Sequence, residues 1–249
     1  MEKRVEELLK RIERDRGFAR KWHPMLAQRD FEFTETWHDL VMHALYKERV
    51  LPRKVKELIC VVMDAITYYE QGLRIHVRGA LEHGATEEEI LEALELCSIL
   101  GSHYMSVHLP AFVDEVQKFE GGKEALVTGD RAKELIERLE RERGVMRPWR
   151  RMLAALDPDF MEMWHKATIH ALVRKGALPR KVKEIICIVM DAITYYEEGV
   201  RIHVRGALQN GASRQEVLET LELCSILGGH FMSVHLPAFE EEVQKFKGR

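Results

Sequence analysis

Residues 64–80 read DAITYYEQGLRIHVRGA, and residues 191–207 repeat this stretch with changes only at the positions of residues 71 and 73. Each copy places ionisable side chains in sequence that is otherwise typical of a buried helix. Apolar residues at helical spacing flank both copies, which favours helix over strand. The stretch therefore predicts a helical fold and marks each copy as a candidate active site.

The chain of 249 residues consists of two copies of one unit. A shift of 127 positions aligns the sequence with itself without a gap, so that Glu57 falls on Glu184. We assign the first repeat to residues 1–122 and the second to residues 123–249. Because equal sequences should pack alike, we expect an all-α fold of two tandem helical bundles related by a pseudo-two-fold axis.

Helix signals recur through each repeat. Pro52 suits a first helical turn, Thr86 and Glu89 form the pattern of a capping box, and Gly84 is typical of a helix end. No stretch shows the alternation of a half-buried strand. The first repeat is therefore predicted to form helices at residues 5–16, 31–46, 52–69, 70–82, 87–100 and 103–119.

Composition and charge exclude several classes of partner. The net charge of −3 gives no reason to expect binding to nucleic acid or to an anionic membrane. No uninterrupted apolar run approaches the roughly 20 residues that span a bilayer, and the charged N-terminus lacks the apolar core of a signal peptide. We expect a cytoplasmic protein, with its four cysteines reduced and packed in the core. Frequent Glu, Lys and Arg at helical spacing indicate ion-paired surfaces, as in many thermophiles.

The fourth predicted helix of the first repeat carries the candidate acid–base group. Tyr69, Gly72 and His76 are three or four residues apart, so they share one helix face. Glycine costs about 1 kcal/mol against alanine inside a helix, and we interpret Gly72 as leaving space beside His76. If the preceding helix packs antiparallel, Glu57 or Asp64 could reach His76 and orient its ring for proton transfer.

These residues also allow structural interpretations. His76 could be a hydrogen-bonded histidine of the core, and Glu70, Arg74 and Arg78 could form a solvated, ion-paired face. Ten of the 12 histidines recur at equivalent positions in both copies. This recurrence favours a functional role for them, although duplication alone also produces it.

Histidines near a carboxylate can bind a metal ion. The spacing of five residues, however, puts His103 and His108 on different faces of one helix. We assign no metal ligand and no cofactor, and a metal-dependent enzyme built from the repeated histidines remains an alternative.

The ordered motifs of each repeat resemble the carboxymuconolactone decarboxylase family, which includes the alkylhydroperoxidase D-like proteins. The resemblance covers almost all of each repeat. It implies a compact all-α bundle and a homo-oligomer, here a trimer of two-repeat chains. The matching motifs begin at Leu51 (Leu-Pro-Arg), His76 (His-Val-Arg-Gly-Ala), Gly84 (Gly-Ala-Thr-Glu-Glu-Glu-Ile) and His108 (His-Leu-Pro-Ala).

The family contains two chemistries, of which the sequence favours one. Its thiol peroxidases use a glutamate, a CxxC pair and a histidine four residues beyond the second cysteine. Glu57 and His76 match the glutamate and the histidine, but Tyr69 and Gly72 occupy the cysteine positions. The second copy shows the same pattern. A thiol peroxidase needs both thiols, so this activity is not expected.

The resemblance to the decarboxylase branch implies a cofactor-free lyase acting on a small carboxylated ring or lactone compound. Its reaction needs a cation for the carboxylate, a donor for the enolate and an acid that returns a proton. The catalytic residues we assign are His76, His203, Glu57, Glu184, Glu70 and Glu197. The substrate-binding residues we assign are Tyr69, Tyr196, Gly72, Gly199, Arg74, Arg201, Arg78, Arg205, His103, His230, His108 and His235. A non-catalytic oligomeric scaffold remains a further alternative.

Overall fold

The computed structural model describes residues 2–119, 129–143 and 146–247, and within these ranges it is helical without a strand. The first repeat forms α1 (Glu2–Arg16), α2 (Trp22–Arg29), α3 (Phe31–Val41), α4 (Arg53–Ile66), α5 (Glu70–Glu82), α6 (Glu87–Ser98) and α7 (Gly101–Phe119). The second repeat forms α8 (Asp130–Arg143), α9 (Pro148–Leu156), α10 (Pro158–Thr168), α11 (Arg180–Ile193), α12 (Glu197–Gln209), α13 (Arg214–Ser225) and α14 (Gly228–Lys247). The expectation of an all-α fold with two tandem repeats is confirmed.

The observed helices differ from the predicted ones mainly at their ends. The helix predicted at 31–46 is α3 followed by a π-helical turn, Met42–Tyr46, and the second repeat has the same turn after α10. The helix predicted at 52–69 stops earlier because Tyr68 has a φ of 55°, a left-handed conformation that an α-helix cannot continue. The short α2 was not predicted, since eight residues show too little apolar periodicity.

The capping signals are found as predicted. The backbone N–H of Glu89 donates to Thr86 Oγ1 at 3.1 Å, and the N–H of Thr86 donates to Glu89 Oε2 at 3.0 Å. Gly84 follows the end of α5 with a φ of 84°, which favours glycine. Local sequence thus sets where these helices begin and end.

The compact units of the chain do not coincide with its sequence repeats. One unit consists of Met1–Ile90 with Gly211–Arg249, and the other is Leu91–Asn210. The first unit therefore contains α1 to α5 of the first repeat with α13 and α14 of the second. The second unit contains most of α6 and α7 of the first repeat with α8 to α12. The boundary at residue 122 separates sequence repeats, which exchange their last two helices.

One glutamate of α13 holds this exchange in the first unit. The carboxylate oxygens of Glu219 accept hydrogen bonds from the backbone N–H groups of Val50 and Leu51, both at 2.9 Å. The same carboxylate lies 3.9 Å from Nζ of the buried Lys56, which donates to the carbonyl of Ala44 at 3.0 Å. Buried charges need such partners, so α13 and the start of α4 stabilise each other.

Glu92 of α6 has the equivalent role in the second unit. It accepts hydrogen bonds from the N–H groups of Ala177 and Leu178 at 2.8 and 2.9 Å, and it lies 3.2 Å from Nζ of Lys183. Burial alone raises the pKa of Glu92, but the hydrogen bonds from Leu178 and Ala177 and the contact with Lys183 lower it overall. A hydrogen-bonded carboxylate therefore holds the exchanged helix in each unit.

The central helix of each unit is buried on all sides. In α4, every residue from Val55 to Asp64 is buried, and α11 is buried in the same way from Val182 to Asp191. A helix surrounded by others is usually apolar all round, yet each of these carries two buried acids. The fold thus places carboxylates inside its core.

One stretch, Arg214–Lys245, is long and apolar enough by length and composition alone to cross a membrane. The sequence-based expectation missed this stretch because Gly, Ser, His and Pro interrupt its apolar residues. It is not one continuous helix, since α13 and α14 are separated at residues 226–227. The core helices of soluble proteins pass the same test, so this finding is weak evidence for a membrane span.

Candidate active site

Helices α4 and α5 pack antiparallel, with two acids of one facing two glycines of the other. Glu57 and Asp64 lie seven residues apart on α4, and Gly72 and Gly79 lie seven apart on α5. A Cβ added to Gly79 would lie 2.7 Å from Glu57 Oε2, and one added to Gly72 would lie 2.6 Å from both carboxylate oxygens of Asp64. The glycines therefore let both buried carboxylates approach the backbone of α5.

The interpretation of Gly72 as empty space beside His76 is wrong. The volume beside Gly72 is occupied by the Asp64 carboxylate and by the ring of Tyr69, whose Cδ1 would lie 2.5 Å from an added Cβ. Gly199 faces the equivalent groups of the second repeat. The role of Gly72 is to allow close packing against the buried Asp64, so a side chain at this position would displace that acid.

His76 on α5 lies between the two acids of α4. Its Nδ1 is 2.7 Å from Glu57 Oε2, and its Nε2 is 4.0 Å from Asp64 Oδ2. Glu57 also accepts a hydrogen bond from Arg53 Nε at 2.7 Å. Burial raises the pKa of Glu57, but the hydrogen bonds and charges of His76 and Arg53 lower it overall. The predicted contact between His76 and a carboxylate of the preceding helix is present.

A second histidine approaches Asp64 from the other repeat. His230 on α14 places Nε2 2.8 Å from Asp64 Oδ1, and its Nδ1 lies 3.3 Å from Thr67 Oγ1. Its ring centroid is 4.8 Å from that of Tyr69. Asp64 therefore lies between His76 and His230, and the candidate site of the first unit combines residues of both repeats.

The second unit repeats this arrangement with the contributions reversed. His203 Nδ1 lies 2.6 Å from Glu184 Oε2, and its Nε2 lies 3.9 Å from Asp191 Oδ2. His103 on α7 of the first repeat places Nε2 2.5 Å from Asp191 Oδ1. Its ring centroid is 4.8 Å from that of Tyr196. Each unit thus has one His–Asp–His cluster supported by a glutamate.

Asp64 and Asp191 are fully buried, yet neither receives an aligned hydrogen bond from the described protein groups. The histidine nitrogens lie within ion-pair distance, but their N–H directions do not meet the geometry of a hydrogen bond. Such a group costs free energy to bury. From the sequence, Asp64 was expected only as an alternative to Glu57 for orienting His76. Its spacing of seven residues from Glu57 was the available signal.

A cavity of about 50 Å³ lies beside this cluster in the first unit. Tyr69, His76 and His230 line it, together with two arginines, Arg16 and Arg20. Neither arginine was predicted from the sequence to belong to the site, because both precede residues 64–80. The cavity therefore combines proton-transfer groups with cations.

The family model of carboxymuconolactone decarboxylases matches the chain twice, at residues 32–106 and 158–232. The chain belongs to the carboxymuconolactone decarboxylase family. Both matched segments contain the acids and histidines of the clusters, whereas Arg16 and Arg20 lie outside them.

One solved structure similar to this family member comes from Burkholderia xenovorans LB400. That protein is provisionally named a gamma-carboxymuconolactone decarboxylase subunit. The two chains superpose with a TM-score of 0.79 at 29% identity, covering 97% of this chain and 98% of that chain. No curated protein matches the chain.

Several residues assigned from the family resemblance lie away from the clusters. Glu70 and Arg74 form an ion pair at 2.5 Å on the solvent face of α5, and Glu197 and Arg201 form the same exposed pair on α12. The solvated, ion-paired face is therefore the interpretation that the structure supports. The other assigned residues that are exposed are Arg78, Arg205, His108 and His235.

The two adjacent tyrosines of each repeat have different environments. Tyr69 is 7% exposed and lines the cavity, whereas Tyr68 is 95% exposed. The positive φ of Tyr68 turns its side chain outward, so of the two adjacent tyrosines only Tyr69 lines the cavity.

The thiols of this decarboxylase-family chain differ from those of a thiol peroxidase. All four cysteines are free, and Cys60 and Cys187 are buried. Burial raises the pKa of both thiols well above the usual range, and it raises that of Cys97 to about 11 and that of Cys224 to about 12. A thiol that stays protonated is a poor nucleophile.

Metal binding has no obvious centre in the described residues. Within 2–119, 129–143 and 146–247, no group of three or more His, Cys, Asp or Glu side chains has an arrangement that could hold a metal ion. Nε2 of His76 and Nε2 of His230 lie 4.0 and 2.8 Å from oxygens of Asp64.

Proposed function

We propose that the chain is a cofactor-free lyase that decarboxylates a small carboxylated ring or lactone compound by acid–base chemistry. Family membership supports a decarboxylase-like activity, and the name of the Burkholderia protein suggests a gamma-carboxymuconolactone as the kind of substrate. The observation that carries the proposal is the pair of histidines on one buried acid, Asp64 between His76 and His230.

The cluster has the groups that such a reaction needs. In the proposed step the carbon–carbon bond to the carboxyl group breaks, its electron pair moves into the ring system as an enolate, and CO2 leaves. A histidinium N–H then donates its proton to the carbon, and one proton from solvent converts the neutral histidine back to histidinium. Reactant carboxylate and one proton thus give CO2 and the protonated product.

The surroundings assign different tasks to the two nitrogens of His76. A carboxylate only accepts hydrogen bonds, so Nδ1 donates to Glu57 and the ring is held in one orientation. Nε2 of His76, which faces Asp64 Oδ2, is then the nitrogen that can exchange a proton. His230 approaches the other oxygen of Asp64, Oδ1. We propose His76 as the proton donor, Glu57 as its positioning residue, and Asp64 with His230 as the source of the proton.

The test is a screen of small ring and lactone carboxylates with the purified protein, measuring CO2 release and product mass. We expect turnover by the wild type and loss of at least about 100-fold in a His76→Asn, His203→Asn variant. The matched control is His43→Asn with His170→Asn, since both of these duplicated histidines are exposed. Full activity in the His76 and His203 variant would place the chemistry elsewhere.

The same preparation separates the alternatives. A metal-dependent enzyme would contain stoichiometric metal by elemental analysis and would lose activity with a chelator, whereas the proposed lyase would not. A non-catalytic scaffold would turn over no compound of the panel. The expected trimer of two-repeat chains and the cytoplasmic location remain predictions, of which the first is tested by analytical ultracentrifugation.

A further inference from the structure

Arg16 and Arg20 are two cations that line the cavity of the first unit without an acidic partner. Among residues 2–119, 129–143 and 146–247, no carboxylate forms an ion pair with either of them, whereas arginines such as Arg11, Arg53 and Arg74 each pair with one. The Nε of Arg16 is buried and has no hydrogen-bond partner among the described groups. Both side chains are partly buried, and a charge withdrawn from water without a counter-ion costs free energy, so this pair of cations calls for an anion.

The polar neighbours of the two arginines are neutral. Arg16 Nη1 lies 3.2 Å from His23 Nε2 and also interacts with the hydroxyl of Tyr46, and Arg20 donates to Tyr69 Oη. Burial and the charge of Arg16 lower the pKa of His23 to about 3, so that ring carries no charge near neutral pH. None of these groups supplies the negative charge that the arginines lack.

We propose that Arg16 and Arg20 form a subsite for the carboxylate of a small organic anion, and that this subsite operates in the first unit only. It lies on the same cavity as His76 and His230, which places a bound carboxylate beside the groups proposed for proton transfer. This inference deepens the proposed function and rests on it for the identity of the reaction, but binding of the anion does not depend on turnover.

The second unit differs from the first at one position, which determines whether the arginine equivalent to Arg20 has an acidic partner. Arg147 is the sequence equivalent of Arg20, and it forms an ion pair with Glu198. The equivalent of Glu198 in the first repeat is Gln71, which has no charge. Arg16 also has an arginine counterpart in the sequence, Arg143. The difference between the two units therefore depends on Glu198, which neutralises Arg147 by ion pairing and repels an incoming carboxylate.

A non-reacting probe tests the subsite directly. We use 2-furoate, a five-membered ring carboxylate, and measure affinity and stoichiometry by isothermal titration calorimetry. We expect about one 2-furoate per wild-type chain and no binding of its neutral methyl ester. Arg16→Gln with Arg20→Gln should weaken binding at least tenfold, because each charged hydrogen bond contributes about this factor. Arg14→Gln, an exposed arginine of the same helix, should leave binding unchanged.

Reciprocal substitutions test the asymmetry without disturbing the core. Glu198→Gln should open the second subsite and raise the stoichiometry to two per chain. Gln71→Glu should close the first subsite and weaken binding as much as the double arginine variant. Residue 71 is exposed, so this variant tests the proposal even if the loss of Arg16 prevents folding, which circular dichroism reports.

Two outcomes overturn the proposal: no binding of 2-furoate to the wild type, or binding that neither Gln71→Glu nor the arginine variant weakens. Two equivalent molecules bound per wild-type chain would overturn the restriction to the first unit. Normal 2-furoate binding without decarboxylation of any compound would instead overturn only the proposed function, so the two failures are distinguishable.

Discussion

His230 Nε2 of the second repeat lies 2.8 Å from Asp64 Oδ1 of the first repeat. His103 of the first repeat contacts Asp191 of the second in the same way, at 2.5 Å. Of the two aspartates, Asp64 and Asp191, each histidine thus contacts the one that is farther from it in sequence. The site of each compact unit is therefore assembled from both repeats.

This exchange predicts a specific pattern of energetic coupling. In a double-mutant cycle on the free energy of unfolding, Asp64→Asn and His230→Asn should be non-additive by about 1 kcal/mol or more, because the two groups are in contact. Asp64→Asn and His103→Asn should add, since they belong to different clusters. Urea denaturation gives the four free energies of each cycle. The opposite pattern would mean that each repeat supplies its own histidine.

Gly79→Ala should destabilise the first unit. Alanine usually stabilises a helix interior by about 1 kcal/mol relative to glycine. Here its Cβ would lie 2.7 Å from Glu57 Oε2, and overpacking of this kind costs about 1–3 kcal/mol. Chemical denaturation measures the difference.

Gly101→Ala is the matched control for Gly79→Ala, because a Cβ at Gly101 has no neighbour within 4 Å. It should be neutral or slightly stabilising. Equal effects of the two substitutions would contradict the role of Gly79 in admitting the Glu57 carboxylate. The same reasoning predicts that Gly72→Leu impairs folding, because its side chain would meet Asp64 and Tyr69.

Tyr68→Gly should stabilise the protein slightly, by up to about 1 kcal/mol. The left-handed conformation at a φ of 55° costs a non-glycine residue about 1–2 kcal/mol, part of which is offset by the larger chain entropy of glycine when unfolded. The side chain is 95% exposed, so little buried area is lost. Tyr104→Gly, on the exposed side of α7, should instead destabilise by about 1 kcal/mol. Thermal unfolding of both variants distinguishes the two effects.

Acidification should remove the stability that Glu57 contributes. Its folded-state pKa is lowered from the ordinary value of 4.5 by His76 and Arg53 despite the opposing effect of burial. The contribution is therefore complete above about 4.5 and is lost as the pH falls through the lower folded-state pKa. Glu57→Gln should flatten this part of the stability–pH curve.

The exposed Glu70→Gln is the control for this titration, because the side chain of Glu70 is largely solvated. It should leave the slope of unfolding free energy against pH as in the wild type. If Glu57→Gln keeps the wild-type slope as well, the hydrogen bond between Glu57 and His76 does not contribute to acid stability.

The sequence predicted what depends on local spacing. The helix ends at Thr86 and Gly84, and the contact of Glu57 with His76, follow from periodicity and from packing of adjacent helices. The pairing of His230 with Asp64 does not, because the repeats are so alike that either His103 or His230 fits the pattern. Only the three-dimensional path of α6, α7, α13 and α14 decides between them.

Other features escaped prediction for different physical reasons. Arg16 lies in α1, an amphipathic helix whose charges look like an ordinary solvated face, and its position on the cavity depends on distant packing. Arg74 looked suitable for an anion because it is close to His76 in sequence, yet its neighbour Glu70 neutralises it on the surface. Sequence proximity was a poor guide to which cation reaches the site.

The exchange of helices between the repeats also determines whether the two sites can differ from each other. A chain with one repeat and the same exchange would have an incomplete site by itself, and it could complete the site only by pairing with an identical chain. Both sites of such a pair would be identical at every position. A chain that holds both repeats is free of that constraint, and the difference between Gln71 and Glu198 is one that a pair of identical one-repeat chains could not have.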